Sequence, residues 1–156
     1  MVDLSGRMLE RAYERISKIT NKVQILQGDI RAVELKENHF DIILAGAVLH
    51  HLRDDNDWET TFDKLYRLLK LGGCLMISDT VVQDNDIVTA YLWERYEDYL
   101  KGFYGKEKLQ NLRDYVEKED SPRTLNYQLE LMKKVGFRNV DVLHKNLCVA
   151  TFGGIK

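Results

Sequence analysis

The sequence of 156 residues predicts an α/β protein built on a doubly wound sheet with crossover helices. The apolar runs at residues 42–48 and 74–81 lack polar alternation, as is typical of parallel strands that are covered on both faces. Segments with helical spacing separate the predicted strands, in the order strand end, helix, strand, strand, helix, strand. Two β-rich segments near residue 150 then predict a hairpin at the sheet edge.

The first elements are short. Val2, Asp3 and Leu4 have the pattern of a strand end. Apolar residues at three- and four-residue steps predict a helix over residues 5–20, with Ser5 as its N-cap. A short strand is predicted over residues 23–27, ending at Gly28 and Asp29.

The later elements are longer. Helical spacing over residues 57–70 predicts a helix that Gly72 and Gly73 stop. Residues 86–118 are helical in pattern and rich in aromatic side chains, so we expect a lid-like helical insert over residues 84–122. A last helix over residues 124–135 should end at Gly136, before hairpin strands at 139–143 and 146–152.

Composition limits the class of protein. With 44% hydrophobic and 31% charged residues and a net charge of −2, residues 1–156 are expected to form one globular domain. There is no basic field for nucleic acid and no apolar run long enough for a membrane, so we expect neither partner. Cys74 and Cys148 are interpreted as buried free thiols, which predicts a cytoplasmic protein.

Candidate ligand-binding residues follow three predicted strands. In doubly wound sheets, ligands bind beyond the carboxyl ends of the strands. A carboxylate such as Asp3 can accept both hydroxyls of a ribose, and Asp29 can accept an adenine amine while the Ile30 backbone contacts a ring nitrogen. Ala45 and Gly46 leave room for a ligand against the backbone. Alone, an acid after a strand is more often a turn residue or helix cap; the ordered combination is more specific.

The motifs resemble those of a known family. VDLSGRML, QGDI, FDIILAGAVLHHL and LYRLLKLGGCLMISD look like the successive motifs of class I S-adenosylmethionine-dependent methyltransferases. GFRNVDVL and LCVATFGGIK resemble the reversed strand pair that ends this Rossmann-like fold. The resemblance extends from Val2 to Ile155. It implies a methyl transfer from S-adenosylmethionine to a small-molecule substrate.

The resemblance also implies roles for individual residues. Asp3 would bind the ribose with Leu4 beside the adenine, and Asp29 and Ile30 would bind the adenine edge. Ala45 and Gly46 would lie near the methionine part of the cofactor.

Within the family, the helical insert resembles the carboxy-S-adenosylmethionine synthase and small-molecule methyltransferase branch. In that synthase an Asn stands at the position of Gly46, and an Arg of the insert binds the extra carboxylate. Arg113 is a candidate for this Arg, while Gly46 departs from the pattern.

The family's first strand and glycine-rich loop would precede Asp3, and neither Gly72-Gly73 nor Gly153-Gly154 follows the right element to replace them. We therefore expect an N-terminally truncated domain with weak or no activity, whose exposed sheet edge favours self-association. The alternatives are a non-catalytic binding or scaffold protein and a nicotinamide-binding half domain, although the latter also needs a glycine-rich turn.

His50 and His51 resemble a metal pair, but adjacent residues on a helix or strand do not face one ligand and no third ligand has zinc-site spacing. We therefore predict no metal, and either His as general base stays an alternative. The charged run at residues 117–120 is interpreted as a solvated loop.

The aromatic residues of the insert have two interpretations. Helical spacing favours packing, and a cage that attracts a sulfonium or a cationic substrate is the alternative. The residues concerned are Tyr91, Trp93, Tyr96, Tyr99, Phe103 and Tyr104.

Overall fold

The computed structural model describes residues 1–104 and 106–156, apart from the side chains of residues 106–108, 112, 113, 115 and 117. The chain divides into two compact units, Met1–Lys36 and Glu37–Lys156, called here the N-terminal unit and the C-terminal unit. The expectation of one domain over the whole chain stays a prediction.

The N-terminal unit consists of two short strands and a helix. Strand β1 (Val2–Asp3) pairs in parallel with β2 (Leu26–Gln27), and helix α1 (Gly6–Ile16) connects them. The predicted N-cap is confirmed, since the Ser5 side chain accepts a hydrogen bond from the Met8 amide. The helix ends four residues earlier than the apolar pattern predicts, and the second strand has two residues where five were expected.

The C-terminal unit is built on a four-stranded sheet in the order β3-β4-β6-β5. Its strands are β3 (Phe40–Gly46), β4 (Leu69–Thr80), β5 (Arg138–Asn146) and β6 (Val149–Ile155). Strand β4 runs parallel to β3 and antiparallel to β6, and β6 is antiparallel to β5. The predicted C-terminal hairpin is therefore confirmed: it joins β4 through β6 and leaves β5 at one edge.

Helices connect the strands of this sheet. After a 3₁₀ turn at Leu49–His51, helix α2 (Asp55–Leu68) leads from β3 to β4. Helices α3 (Asp86–Lys101) and α4 (Lys106–Glu119) follow β4 and lie within the predicted insert. Helix α5 (Leu125–Val135) precedes β5. Among the described residues, no helix is both long and apolar enough to cross a lipid bilayer.

Glycines end one of two predicted helices. Gly136 adopts φ 112° and caps α5 as predicted, because glycine accepts the left-handed conformation without a Cβ clash. The prediction that Gly72 and Gly73 stop α2 is wrong. That helix already ends at Leu68, since Leu69 takes an extended backbone and pairs with Phe40 of β3.

Helix α2 provides much of the core of the C-terminal unit. Trp58 and Phe62 are fully buried, with ring centroids 5.8 Å apart. The indole Nε1 donates a hydrogen bond of 3.2 Å to the Leu52 carbonyl, so burial leaves this donor satisfied. Leu75 and Ile77 of β4 are equally buried. This packing holds β3 and β4 in place beside the turn that follows β3.

Candidate active site

Asp3 ends β1 and shapes the turn into α1. Its Oδ1 accepts a hydrogen bond of 2.7 Å from the Ser5 amide, and its carbonyl accepts one of 3.0 Å from the Gly28 amide. The first bond occupies one of the two carboxylate oxygens. Leu4, which was predicted to lie beside an adenine, is 65% exposed. A half-exposed carboxylate next to an exposed apolar side chain suits the polar and flat parts of a nucleoside.

Asp29 lies in the turn that follows β2 and is half-buried. Its Oδ1 accepts a 2.8 Å hydrogen bond from the Arg31 amide, and the Arg31 guanidinium contacts both carboxylate oxygens at 2.6 to 3.1 Å. An adenine amine would share this carboxylate with Arg31, a residue that the sequence analysis did not single out. The spacing Asp-Ile-Arg is the signal that could have indicated it.

The pairing of β1 with β2 brings these two acids to one edge of the N-terminal unit. The strands are parallel, with Val2 opposite Leu26 and Asp3 opposite Gln27. Both carboxyl ends therefore lie at the same edge, with Asp3 as the last residue of β1 and Asp29 two residues after β2; their role in ligand binding stays a prediction. Ile30, next to Asp29, is half-buried.

In the C-terminal unit, Ala45 and Gly46 end β3. Ala45 is 8% exposed, and a Cβ built on Gly46 would meet no atom within 4 Å. The following residue, Ala47, adopts φ 50°, and its amide donates to the Ser78 carbonyl at 2.9 Å. The space over Gly46 agrees with the expectation that a ligand can approach the backbone here.

The predicted residue Arg113 belongs to α4, but its side chain lies outside the described residues.

Several aromatic residues of α3 and of the turn after it are largely exposed. Exposed fractions are 53% for Tyr91, 60% for Tyr99 and 66% for Phe103, so the packing interpretation is wrong for these three. Trp93 and Tyr96 are half-buried and meet edge to face at 5.8 Å between centroids.

Helix α3 lies near the carboxyl end of β4. Burial raises the pKa of Tyr96, and the Cys148 thiol is close enough to add to that rise. Cys148 in turn accepts a 2.8 Å hydrogen bond at its carbonyl from the amide of Val81, directly after β4. The aromatic helix therefore begins and packs at the carboxyl end of β4, the kind of sheet edge at which doubly wound folds bind ligands.

A histidine and carboxylate cluster occupies the same edge. The Nδ1 atom of His50 lies 2.5 Å from Oδ1 of Asp79, the penultimate residue of β4. The other Asp79 oxygen accepts hydrogen bonds from the Val48 and Leu49 amides at 3.1 and 2.7 Å. Asp79 is 2% exposed, so this carboxylate fixes the turn after β3 from inside the protein.

Asp120 completes the cluster from the end of α4. Its Oδ1 lies 3.0 Å from Nδ1 of His51, and its Oδ2 lies 3.7 Å from Nε2 of His50. The two imidazole centroids are 4.1 Å apart. Within the 3₁₀ turn, both adjacent histidines therefore lie near one carboxylate, an arrangement that helix or strand spacing did not predict, and the expectation of no metal stays a prediction. The Asp120 side chain is 7% exposed, so the interpretation as a solvated loop is wrong for this residue.

Burial and the neighbouring carboxylates shift the pKa of His50 in opposite directions. Burial lowers the pKa of the imidazole, while the hydrogen bond and charge of Asp79 and the charge of Asp120 raise it. The carboxylates outweigh the burial, so the pKa of His50 lies above its ordinary value.

Several known proteins are similar to this chain in sequence or in fold. The sequence model of a family described as a methyltransferase domain matches residues 1–77. The carboxy-S-adenosyl-L-methionine synthase of Chromohalobacter salexigens is 28% identical, over 99% of this chain and 57% of that protein. The match over residues 1–77, these relatives and the fold support a class I S-adenosylmethionine-dependent methyltransferase. The cofactor of this family is S-adenosylmethionine.

Two further proteins are similar to this chain, one in sequence and one in fold. The demethylmenaquinone methyltransferase of Lactococcus lactis is 29% identical, over 90% of this chain and 56% of that protein. The structure of Haemonchus contortus phosphoethanolamine N-methyltransferase 2 with S-adenosyl-L-methionine has a TM-score of 0.63 at 24% identity, over 90% of this chain and 28% of that chain. This likeness shows a shared fold. The chain spans 57% and 56% of the length of the two relatives aligned by sequence.

Proposed function

We propose that this chain binds S-adenosylmethionine and transfers its methyl group to a small-molecule acceptor. One observation carries the proposal: the parallel strands β1 and β2 bring Asp3, the last residue of β1, and Asp29, two residues after β2, to one edge, and both are acceptor-only groups suited to a ribose and an adenine amine. The likeness to the methyltransferase family supports the same cofactor. Gly46 stays a predicted neighbour of the methionine part.

The chemistry needs orientation more than acid-base groups. A lone pair of the acceptor attacks the sulfonium methyl in line, the carbon–sulfur bond breaks, and the electron pair returns to sulfur, which leaves S-adenosylhomocysteine. Holding the two reactants in this geometry and excluding water are the main contributions that a protein can make.

The exposed aromatic residues of α3 and of the turn after it are proposed to select the acceptor. Tyr91 and Tyr99, on the helix that begins beyond the carboxyl end of β4, and Phe103, just after that helix, are more than half exposed. Exposed rings of this kind bind flat or cationic small molecules. Arg113, on α4, remains a candidate for binding a carboxylate.

Calorimetric titration with S-adenosylmethionine and S-adenosylhomocysteine tests cofactor binding. Asp3→Asn keeps Oδ1 for the Ser5 amide but removes the charge, and Asp29→Asn weakens the Arg31 pair. We expect each variant to lose at least about tenfold in affinity, which corresponds to one lost charge-assisted hydrogen bond. Asp63→Asn, an exposed acid of α2 paired with Arg67, is the matched control. A folded chain that binds neither ligand, or binds them equally in all variants, contradicts the proposal.

Turnover by these 156 residues is expected to be weak. Both glycine pairs of the sequence lie inside strands, Gly72-Gly73 in β4 and Gly153-Gly154 in β6, and not at a strand-to-helix turn where a backbone can approach the cofactor. The rate at which S-adenosylhomocysteine is released measures the turnover. Turnover by the purified chain at an ordinary enzyme rate would contradict the expectation of weak activity.

A non-catalytic scaffold is the second candidate. Strand β3 is at one edge of its sheet and exposes Ile42 by 61% and Leu44 by 77%. An edge strand with exposed apolar side chains favours pairing with a second copy. Light scattering after size exclusion separates the two candidates: a dimer without cofactor binding favours the scaffold, and a monomer that binds the cofactor favours the enzyme.

A further inference from the structure

We propose that His50, His51 and Asp120 bind a divalent first-row transition metal ion. One nitrogen of each imidazole and one carboxylate oxygen can be chosen so that all three atoms lie within 4.8 Å of one another. Two imidazoles and one carboxylate form a ligand set that suits zinc and its neighbours in the first transition row. The inference is independent of the proposed methyl transfer.

The carboxylate of Asp79 prepares His50 for this role. A histidine that binds a metal almost always donates its other ring N–H to a carboxylate or carbonyl. Because Nδ1 of His50 lies 2.5 Å from the Asp79 carboxylate, a proton on Nδ1 is favoured, which leaves Nε2, 3.7 Å from Oδ2 of Asp120, as the ligand atom. Asp79 is itself held by the amides of Val48, Leu49 and Thr80. This is the outer ligand shell of a metal site.

Asp120 provides a second, independent observation. Its side chain is 7% exposed, and its Oδ1 is buried without a hydrogen-bond partner among the described residues. His51 Nδ1 lies 3.0 Å from this oxygen but without the alignment of a hydrogen bond. Buried carboxylate oxygens in native proteins are nearly always satisfied. A cation between this oxygen and the two imidazoles would satisfy it and use the lone pairs of both rings.

The site would have one open position. Three protein ligands leave a fourth place on a tetrahedral zinc for water, and the His51 side chain is 40% exposed, which connects the site to solvent. The geometry thus resembles sites with an exchangeable ligand more than closed structural sites.

Metal binding would also fasten the end of α4. The Ser121 amide donates to the His50 carbonyl at 2.7 Å, and Arg53 donates to the Lys118 carbonyl at 3.3 Å. These two hydrogen bonds already join residues 118–121 to the turn after β3. An ion held by His50, His51 and Asp120 would lock the same junction, so binding should stabilise the folded chain.

Titration of the untagged, chelator-treated chain with zinc chloride tests the site. We expect one zinc ion per chain, a rise of the thermal unfolding midpoint with zinc concentration, and cobalt(II) absorption typical of low coordination number. His51→Ala and Asp120→Asn should each lower zinc affinity by at least about tenfold, and Asp79→Asn should lower it by about 10 to 100-fold through the orientation of His50.

His144→Ala is the matched control, because His144 is an exposed histidine on β5 outside the cluster. Circular dichroism confirms that each variant folds, and His51, being partly exposed, tolerates truncation best. The proposal is overturned if the folded chain binds no zinc, or if His51→Ala and Asp120→Asn bind zinc as His144→Ala does. Either result would make the cluster an ion-pair network.

Discussion

The N-terminal unit and the C-terminal unit share parallel strand pairing but differ in how much they bury. Of the 36 residues of the N-terminal unit, all of them described, only Leu9 is buried. The C-terminal unit buries Trp58, Phe62 and Phe152 completely. The predicted adenosine ligands Asp3 and Asp29 therefore lie on the lightly packed unit. If Asp3 and Asp29 bind a nucleoside as proposed, the ligand binds the unit with fewer buried side chains, where it can add most to local stability.

Truncation of the core should show the largest difference between the units. Trp58→Ala removes a fully buried ring from α2, and we expect a loss of about 3 to 5 kcal/mol in the free energy of unfolding. Leu9→Ala removes the one buried side chain of the N-terminal unit, and its effect should be confined to amides of residues 1–36. Urea unfolding followed by circular dichroism, with hydrogen exchange, measures both. Equal global destabilisation would show that the units unfold together.

Two glycines of the four-stranded sheet, Gly153 in β6 and Gly46 in β3, compare tightly packed with open surroundings within the C-terminal unit. A Cβ on Gly153 would lie 2.4 Å from the Leu75 carbonyl oxygen, so Gly153→Ala should cost about 1 to 3 kcal/mol by overpacking. Gly46→Ala meets open space and should change stability by less than about 1 kcal/mol. If the cofactor lies over Gly46, this second variant should still weaken S-adenosylmethionine binding. Thermal unfolding and calorimetry separate the two effects.

Each unit offers one helix cap for comparison. The Ser5 hydroxyl accepts from the Met8 amide at 3.3 Å, and the Thr124 hydroxyl accepts from the Tyr127 amide at 3.1 Å. Replacement of either by Ala should cost about 1 kcal/mol. We expect Thr124→Ala to lower the global unfolding midpoint and Ser5→Ala to loosen only α1, as seen by hydrogen exchange. A global effect of Ser5→Ala would weaken the distinction between the units.

The smallest effect concerns thiol reactivity inside the C-terminal unit. Burial raises the pKa of Cys148 to about 11, so its reactive thiolate is scarce at neutral pH and increases as pH rises toward that value. Cys74, in β4, is only partly buried. Iodoacetamide should modify Cys74 first in the native chain, and mass spectrometry of the digested protein identifies the site. Faster modification of Cys148 would mean that the hairpin turn opens readily.

Helix ends were predicted correctly where a capping residue marks them in the local sequence. Ser5 and Gly136 mark the start of α1 and the end of α5 because a hydroxyl cap and a left-handed glycine act within one turn. The predicted end of α2 was wrong, because Leu69 pairs with β3 and this pairing outweighs the helical spacing. No residue close to Leu69 in the sequence indicates that pairing.

The candidate cofactor residues could be proposed from the sequence because acids come at or just after the predicted strand ends. Asp120 was missed because its partners His50 and His51 are far away along the chain, and a charged run gives no sign of burial. Arg31 was missed for a different reason: the spacing Asp-Ile-Arg was not recognised as a turn that pairs the two side chains. The contacts of Asp120 with histidines on another element were thus the part beyond sequence reasoning.

The position of β6 has a consequence for how the chain acquires its structure during synthesis. Strand β6 lies between β4 and β5 although it follows both along the chain, and Cys74 pairs with Ile155. Strand β6 is therefore synthesised after β4 and β5, the two strands on either side of it in the sheet. Until residues 149–155 emerge, β4 and β5 have no common neighbour, and the apolar face of β4 needs protection by α2 or by a chaperone.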